Sequence, residues 1–189
     1  MPRETDAVVV GGGIIGLAVA DALTAAGRTV SVLEKEAAVA THQTSHNSGV
    51  VHAGVYYRPG SLKAELCSSG RLLLRDFCEE QGIAYDPCGK VIVATTAAEV
   101  AELDAIERRA EANRVPGLQR LGPDGLAEIE PHVRGRAALW SPTTAIVDFS
   151  AVARALAAAV AARGGRVVRG ATVTGIGCEG GLVLSLIHI

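Results

Sequence analysis

VVVGGGIIGLAVADAL, residues 8–23, is the stretch on which the fold of this chain turns. Val8, Val9 and Val10 are consecutive β-branched residues, the pattern of a strand buried in a parallel sheet. Gly11, Gly13 and Gly16 follow at G-x-G-x-x-G spacing, and the helix that opens at Ile14 is expected to run to Ala26 and stop at Gly27. This arrangement suits a dinucleotide. The first glycine permits a tight turn, the second lets a diphosphate approach the backbone, and the third lets helix and strand pack closely, with the phosphates at the helix N-terminus. A second apolar strand, residues 29–33, ends at Glu34, whose carboxylate can accept hydrogen bonds from both ribose hydroxyls. The blander reading is a glycine-rich turn beside a solvated acid. The order strand, glycines, helix, strand, acid favours the nucleotide site.

Composition narrows the class. With 49% hydrophobic and 20% charged residues among 189, the chain is globular rather than disordered. A net charge of −2 and no basic face give no footing for a nucleic-acid partner. Cys67, Cys78, Cys88 and Cys178 show neither C-x-x-C spacing nor a metal-ligand cluster, so no metal and reduced thiols are expected. The first strand follows Arg3, Glu4 and Asp6 directly, with no secretory leader read ahead of it, and the longest apolar stretch is the glycine-broken helix itself. A cytoplasmic protein is expected, with peripheral docking on the cytoplasmic membrane face compatible with it.

The second informative stretch is THQTSHNSGVVHAGVYYRPGSLKAEL, residues 41–66. Its hydroxyl, amide and imidazole side chains are poor core material and suit the wrapping of a polar cofactor. Thr44, Ser45, Asn47 and Ser48 offer donors, and Gly49 lets the backbone come close. No third βα unit follows the strand at 29–33 promptly. That favours FAD, with its long ring-contacting loop, over a nicotinamide cofactor.

Beyond it, Ser61 is expected to cap a helix to Glu80 with Leu62, Leu66, Leu73 and Phe77 on its apolar face. A strand at 89–95, an amphipathic helix at 97–113 and a short helix at 123–130 come next. Strands are expected at 136–140 and 145–147, then a helix to Arg163 capped by Ser150, then strands at 166–169 and 172–176. The fold class is α/β. A Rossmann-like FAD-binding domain (1–84, resumed at 150–183) is expected to carry an inserted α+β substrate domain (85–149), the whole truncated at the C-terminus.

Residues 41–67, with CGKVIVA at 88–94 and TAIVDF at 144–149, resemble the L-2-hydroxyglutarate dehydrogenase/oxidase family, within the D-amino-acid-oxidase-like flavoproteins. H-N-S-G-V-x-H-x-G-x-Y-Y, residues 46–57, carries the resemblance far more specifically than the glycines do, and the match runs from about Asp6 to Ile176. It implies FAD held by Gly11, Gly13, Ile14, Ile15, Gly16, Glu34, Lys35, Thr44, Ser45, Asn47, Ser48, Gly49, Val50 and the backbone of Val173. It implies oxidation of a small 2-hydroxy acid, L-2-hydroxyglutarate, to 2-oxoglutarate, with electrons passed to a quinone, another carrier or oxygen.

Histidine titrates in the range that removing a hydroxyl proton needs, and His52 is the candidate general base because the resemblance places its segment beside the flavin ring. Two other readings stay open. His52 could only hydrogen-bond flavin or backbone, or the base could lie in a C-terminal part beyond this chain. His46 is expected to order its loop and His132 to be exposed. For a dianionic substrate, Arg58, Lys63 and Lys90 are candidate cations, with Tyr56 and Tyr57 as hydroxyl donors, against the alternative that each cation is solvated surface.

Family members are considerably longer. Residues 184–189, LSLIHI, depart from the pattern and resemble a translated transposase-end adapter, so they are expected to be an artefactual tail. Other members of the group act on amino acids, amines or glycerol 3-phosphate. These, and a non-catalytic dinucleotide-binding module, are the alternatives.

Overall fold

The computed structural model describes residues 5–179 and 182–188. The elements run β1 (Ala7–Val10), α1 (Ile14–Ala25), β2 (Val30–Leu33), β3 (Val50–Val51), α2 (Leu62–Glu80), β4 (Tyr85–Asp86), β5 (Lys90–Ala94) and α3 (Ala97–Ala112). They continue β6 (Gln119–Leu121), α4 (Pro123–Ile129), β7 (Ala137–Ser141), β8 (Ala145–Val147), α5 (Phe149–Ala162), β9 (Arg166–Val168), β10 (Thr172–Glu179) and β11 (Leu182–His188). Contacts divide the chain into two compact units, residues 1–47 with 148–189, and residues 48–147. The division expected at 84/85 falls instead at 47/48, because β3 pairs with β8 and β8 with β4, which binds residues 48–84 into the second unit.

In the first unit, β1, β2 and β9 form a parallel sheet in the order β1-β2-β9, with Ala7 opposite Val30 and Ser31 opposite Arg166. α1 and α5 pack together, burying Leu17, Ala20, Val152, Leu156 and Val160. The expectation that Val8 and Val10 lie in a fully buried strand is corrected. β1 is a sheet edge among the described residues, and Val10 is 56% exposed. Asp148, not Ser150, caps α5: its carboxylate accepts the Ser150 N–H at 2.8 Å, so the helix starts two residues earlier than the serine suggested. β10 and β11 form an antiparallel hairpin that carries the backbone of residues 184–188; Ile189 lies outside the described residues.

In the second unit, two three-stranded antiparallel sheets, β3-β8-β4 and β5-β7-β6, are accompanied by α2, α3 and α4. Leu103 buries with Ala94, Ala137 and Leu139, and Ala53 and Val55 bury with Ala110 and Val115. α3 begins at a capping box in which the Thr96 hydroxyl accepts the Glu99 N–H and the Glu99 carboxylate accepts the Thr96 N–H. Arg120 on β6 reaches Asp104 and Glu107 of α3, at 2.8 Å each.

α2 departs from expectation in its facing. Leu62, Leu66 and Leu73 are 67%, 60% and 69% exposed. The inward stripe is Ala64, Cys67, Arg71, Leu74 and Cys78, spaced 3-4-3-4 and turned away from Leu62, Leu66 and Leu73, while Phe77, also expected inward, is half-buried.

Candidate functional site

The glycine turn has the geometry its spacing calls for. Gly11 has φ +102°, and its N–H donates to Leu33 O at 2.8 Å, tying the turn to the end of β2. A Cβ on Gly16 would collide with the Gly11 carbonyl oxygen, so that position admits no side chain. Gly13 stands at the N-cap of α1 with no side chain to cap it. Helix geometry then directs first-turn N–H groups outward along the axis. The Ile14 N–H is met by a side chain, the Thr44 hydroxyl at 3.1 Å, which reaches in from the loop after β2.

A cleft of about 700 Å³ opens here. Its walls include Val10, the turn from Gly11 to Gly16, Thr44 and Asn47, and also Gln43, Val19 and Phe149, which the sequence did not single out. Glu34 lies behind the turn, 6% exposed, its two oxygens accepting the N–H groups of Gly12 at 2.6 Å and Glu36 at 2.9 Å. Each carboxylate oxygen keeps a second lone pair for a hydroxyl donor. A helix start whose N-cap residue has no side chain, a glycine turn closed to a side chain at Gly16 and a buried acceptor bonded to that turn fit a dinucleotide diphosphate and its ribose.

The rest of the expected cofactor set is more dispersed. Lys35 is exposed and pairs with Glu36 at 3.6 Å. Ser45 gives its hydroxyl to His42 O, and the Asn47 amide donates to Gln43 O and Thr44 O, so both organise the loop itself. The His46 ring lies 2.9 Å from His42 O, which fits the ordering role expected of it. Val173 follows two residues after Ala171, whose N–H donates to Glu34 O at 2.8 Å and ties the entry to β10 to the acid's segment. Ser48, Gly49, Val50 and His52 belong to the second unit. Gly49 there takes φ +69°, and its carbonyl accepts the Val147 N–H at 2.9 Å.

Within the second unit, His52, Tyr56, Tyr57 and Lys90 line one niche with Ala53, Gly54, Val55 and Thr144. It encloses only about 10 Å³, so an organic substrate would rest over its mouth. Lys90 Nζ lies 4.6 Å from the Tyr56 ring centroid and Lys63 Nζ 4.8 Å from that of Tyr57. These are distances at which a ring face attracts and steadies an ammonium group. His52 is an exposed residue, yet partial desolvation, then the charges of Lys90 and Lys63, hold its imidazole below its ordinary pKa and favour the neutral form. Burial raises the Tyr57 phenol. Arg58 is exposed and does not line the niche, and His132 is exposed. No group of His, Cys, Asp and Glu among the described residues could hold a metal ion, and no described helix is long and apolar enough to cross a membrane.

The sequence pattern of the FAD dependent oxidoreductase (DAO) family matches residues 6–186. The chain belongs to that family. The Rossmann-like fold and FAD as cofactor, both expected from the glycine turn and the loop after it, are borne out. The chain is similar to the mitochondrial L-2-hydroxyglutarate dehydrogenase of Homo sapiens, 46% identical over 173 residues, covering 90% of this chain and 37% of that protein. It is 43% identical to the L-2-hydroxyglutarate dehydrogenase of Escherichia coli (strain K12), covering 90% of this chain and 41% of that protein. Among solved structures, the FAD-bound L-alpha-glycerophosphate oxidase from Mycoplasma pneumoniae superposes with a TM-score of 0.91 at 26% identity, over 98% of this chain and 50% of that one. The chain thus spans about two fifths of the length of these dehydrogenases.

Proposed function

We propose that this chain is the N-terminal part of an FAD-dependent enzyme that oxidises L-2-hydroxyglutarate to 2-oxoglutarate. The observation that carries the reading is the 43–46% identity to L-2-hydroxyglutarate dehydrogenases, over a span that takes in the His52–Lys90 niche. Gly13 to Gly16 and the start of α1 would hold the diphosphate, Glu34 the ribose, and the Val173 backbone the adenine. Lys35, Thr44, Ser45, Asn47, Ser48, Gly49 and Val50 would complete the cofactor cradle. When bound, FAD supplies the acceptor for the hydride that leaves C2 of the substrate.

The chain's own residues would do the rest. Lys63 and Lys90 are steadied on aromatic faces and offer fixed positive charge to carboxylates, with Tyr56, Tyr57 and Arg58 adding donors. His52, whose lowered pKa favours the neutral imidazole, would receive the substrate's hydroxyl proton. Electrons would then leave to a quinone, another carrier or oxygen, and a peripheral membrane position would suit a quinone.

A second reading, oxidation of glycerol 3-phosphate, draws on the likeness to the Mycoplasma pneumoniae oxidase, because paired lysines serve a phosphate as well as a carboxylate. Anaerobic spectra of an intact protein containing this stretch separate the two. Bleaching of bound flavin by L- but not D-2-hydroxyglutarate is the expected result. Bleaching by glycerol 3-phosphate alone would overturn the first reading.

A further inference from the structure

The segment from His52 to Tyr57 has little regular backbone pairing of its own. β3 ends at Val51, and the backbone bond that spans the following turn, Tyr57 N–H to Gly54 O, is long at 3.4 Å. Side chains from two distant helices hold it instead. The Asn113 amide nitrogen donates to Gly54 O at 2.9 Å and to Tyr57 O at 2.7 Å, using both its hydrogens on the two ends of one turn. Arg109, one helical turn earlier on α3, donates to Tyr56 O at 3.2 Å. Cys67 of α2 donates its thiol to His52 O at 3.1 Å. Ala53 and Val55 bury against Ala110 and Val115, which flank Asn113, so the loop's apolar side is pinned to the same helix end.

We propose that Asn113 is a positioning residue for the substrate site: by bridging Gly54 and Tyr57 it fixes the two tyrosines whose rings carry Lys90 and Lys63, and so sets the spacing of the two cations that would read a dicarboxylate. The inference rests on the reading of that niche as the substrate site. Asn113 is free for this task because backbone bonds close the end of α3 without its side chain: its own N–H donates to Arg109 O, Arg114 N–H to Glu111 O and Val115 N–H to Ala110 O. Arg114 takes φ +54° to make that close, which turns the chain and aims Asn113 at the loop. An aspartate at 113 would keep the shape but set a carboxylate oxygen where the donor stood, facing two carbonyl oxygens.

The test uses the intact flavoenzyme containing this stretch, with glutarate, a five-carbon dicarboxylate that lacks the oxidisable hydroxyl, as the binding probe. Asn113→Asp and Asn113→Ala are expected to weaken glutarate binding about tenfold, the effect of losing ~1.4 kcal/mol. KM for L-2-hydroxyglutarate should rise in step, while kcat and the flavin spectrum hold. Arg109→Ala, an exposed position, should give the same effect in milder form, and it carries the test should an Asn113 variant fail to fold. Lys63→Met and Lys90→Met run in parallel. If these weaken glutarate binding and the position-113 and position-109 variants do not, the positioning role is overturned and the substrate site stands. If the lysine variants leave glutarate binding unchanged, the reading of the niche fails and this inference falls with it.

Discussion

Glu34 receives the Gly12 N–H at 2.6 Å, so the acid at the end of β2 and the middle of the glycine turn are one structural unit before any ligand arrives. The second oxygen of the same carboxylate takes the Glu36 N–H at 2.9 Å. Glu34→Gln keeps the volume but turns one oxygen into a donor facing an amide donor. It should lower stability by about 1–3 kcal/mol, the cost of a buried polar group left without its partner. Urea denaturation measures this directly, and flavin retention on gel filtration should fall alongside it. An unchanged unfolding midpoint would show that the Gly12 bond contributes nothing.

Gly16→Ala should be worse than a comparable change at Gly13. A methyl at 16 meets the Gly11 carbonyl oxygen, whereas the nearest neighbour of a methyl at 13 is the Thr44 hydroxyl at 3.5 Å, an ordinary contact. Overpacking of this kind costs about 1–3 kcal/mol. The expected outcome is a lower melting temperature for Gly16→Ala in the apoprotein. Gly13→Ala should melt close to the parent and lose chiefly flavin affinity.

The depressed pKa of His52 sets a pH dependence. Burial and the ammonium groups of Lys90 and Lys63 disfavour imidazolium, so the neutral base persists at lower pH than a free histidine, whose pKa is about 6.5. The acid limb of kcat/KM in the intact enzyme should therefore lie below that value. Lys90→Met removes a positive charge, raises the His52 pKa and should move the limb to higher pH. Stability follows the same sign. The unfolded chain binds this proton more readily than the folded one, so acidification through the unfolded histidine pKa destabilises the fold. A limb that stays put in Lys90→Met would remove His52 from the chemistry.

Gly89 sits at φ +76°, and any Cβ there would run into the indole of Trp140 on the neighbouring strand β7. Gly89→Ala should cost more than ~1 kcal/mol, since both the backbone region and the space oppose it. Trp140 is the single tryptophan, so its fluorescence reports on this contact alone. A red-shifted emission with a lowered melting temperature is expected.

The outward leucines of α2 make a further prediction for the 189-residue chain expressed alone. Leu62, Leu66 and Leu73 present an exposed apolar stripe in the second unit, and Val8 and Val10 of the edge strand β1 are exposed in the first. Leu66→Ser with Leu73→Ser should reduce self-association in sedimentation without lowering the melting temperature, because neither side chain is buried. Undiminished aggregation would point to the β1 edge instead.

How much of this was legible in the linear chain depended on how local the physics is. The turn at Gly11–Gly16, the helix that follows, the acid at the end of β2 and the crossover through α5 all rest on spacing, glycine conformation and periodicity within a few residues. They could be read before any folding was considered. Short strands such as β3, β4 and β6 could not, since two or three residues become a strand only when a partner far along the chain supplies the hydrogen bonds. The facing of α2 was misread for a related reason. Periodicity finds two stripes on that helix, and only packing chooses the one with small residues.

The sequence by itself determined that a nucleotide diphosphate has a helix start and a glycine turn to rest on, because those requirements are written in neighbouring residues. The tertiary structure alone decided that the Thr44 hydroxyl meets the Ile14 N–H from thirty residues away, and that Lys63 and Lys90 lie on the rings of Tyr57 and Tyr56. It alone decided, too, that Asn113 clasps the loop between them. The Thr44, Lys90 and Asn113 contacts join points that the chain separates by tens of residues, and for Asn113 the burial of Ala53 and Val55 against Ala110 and Val115 brings the partners within hydrogen-bonding reach.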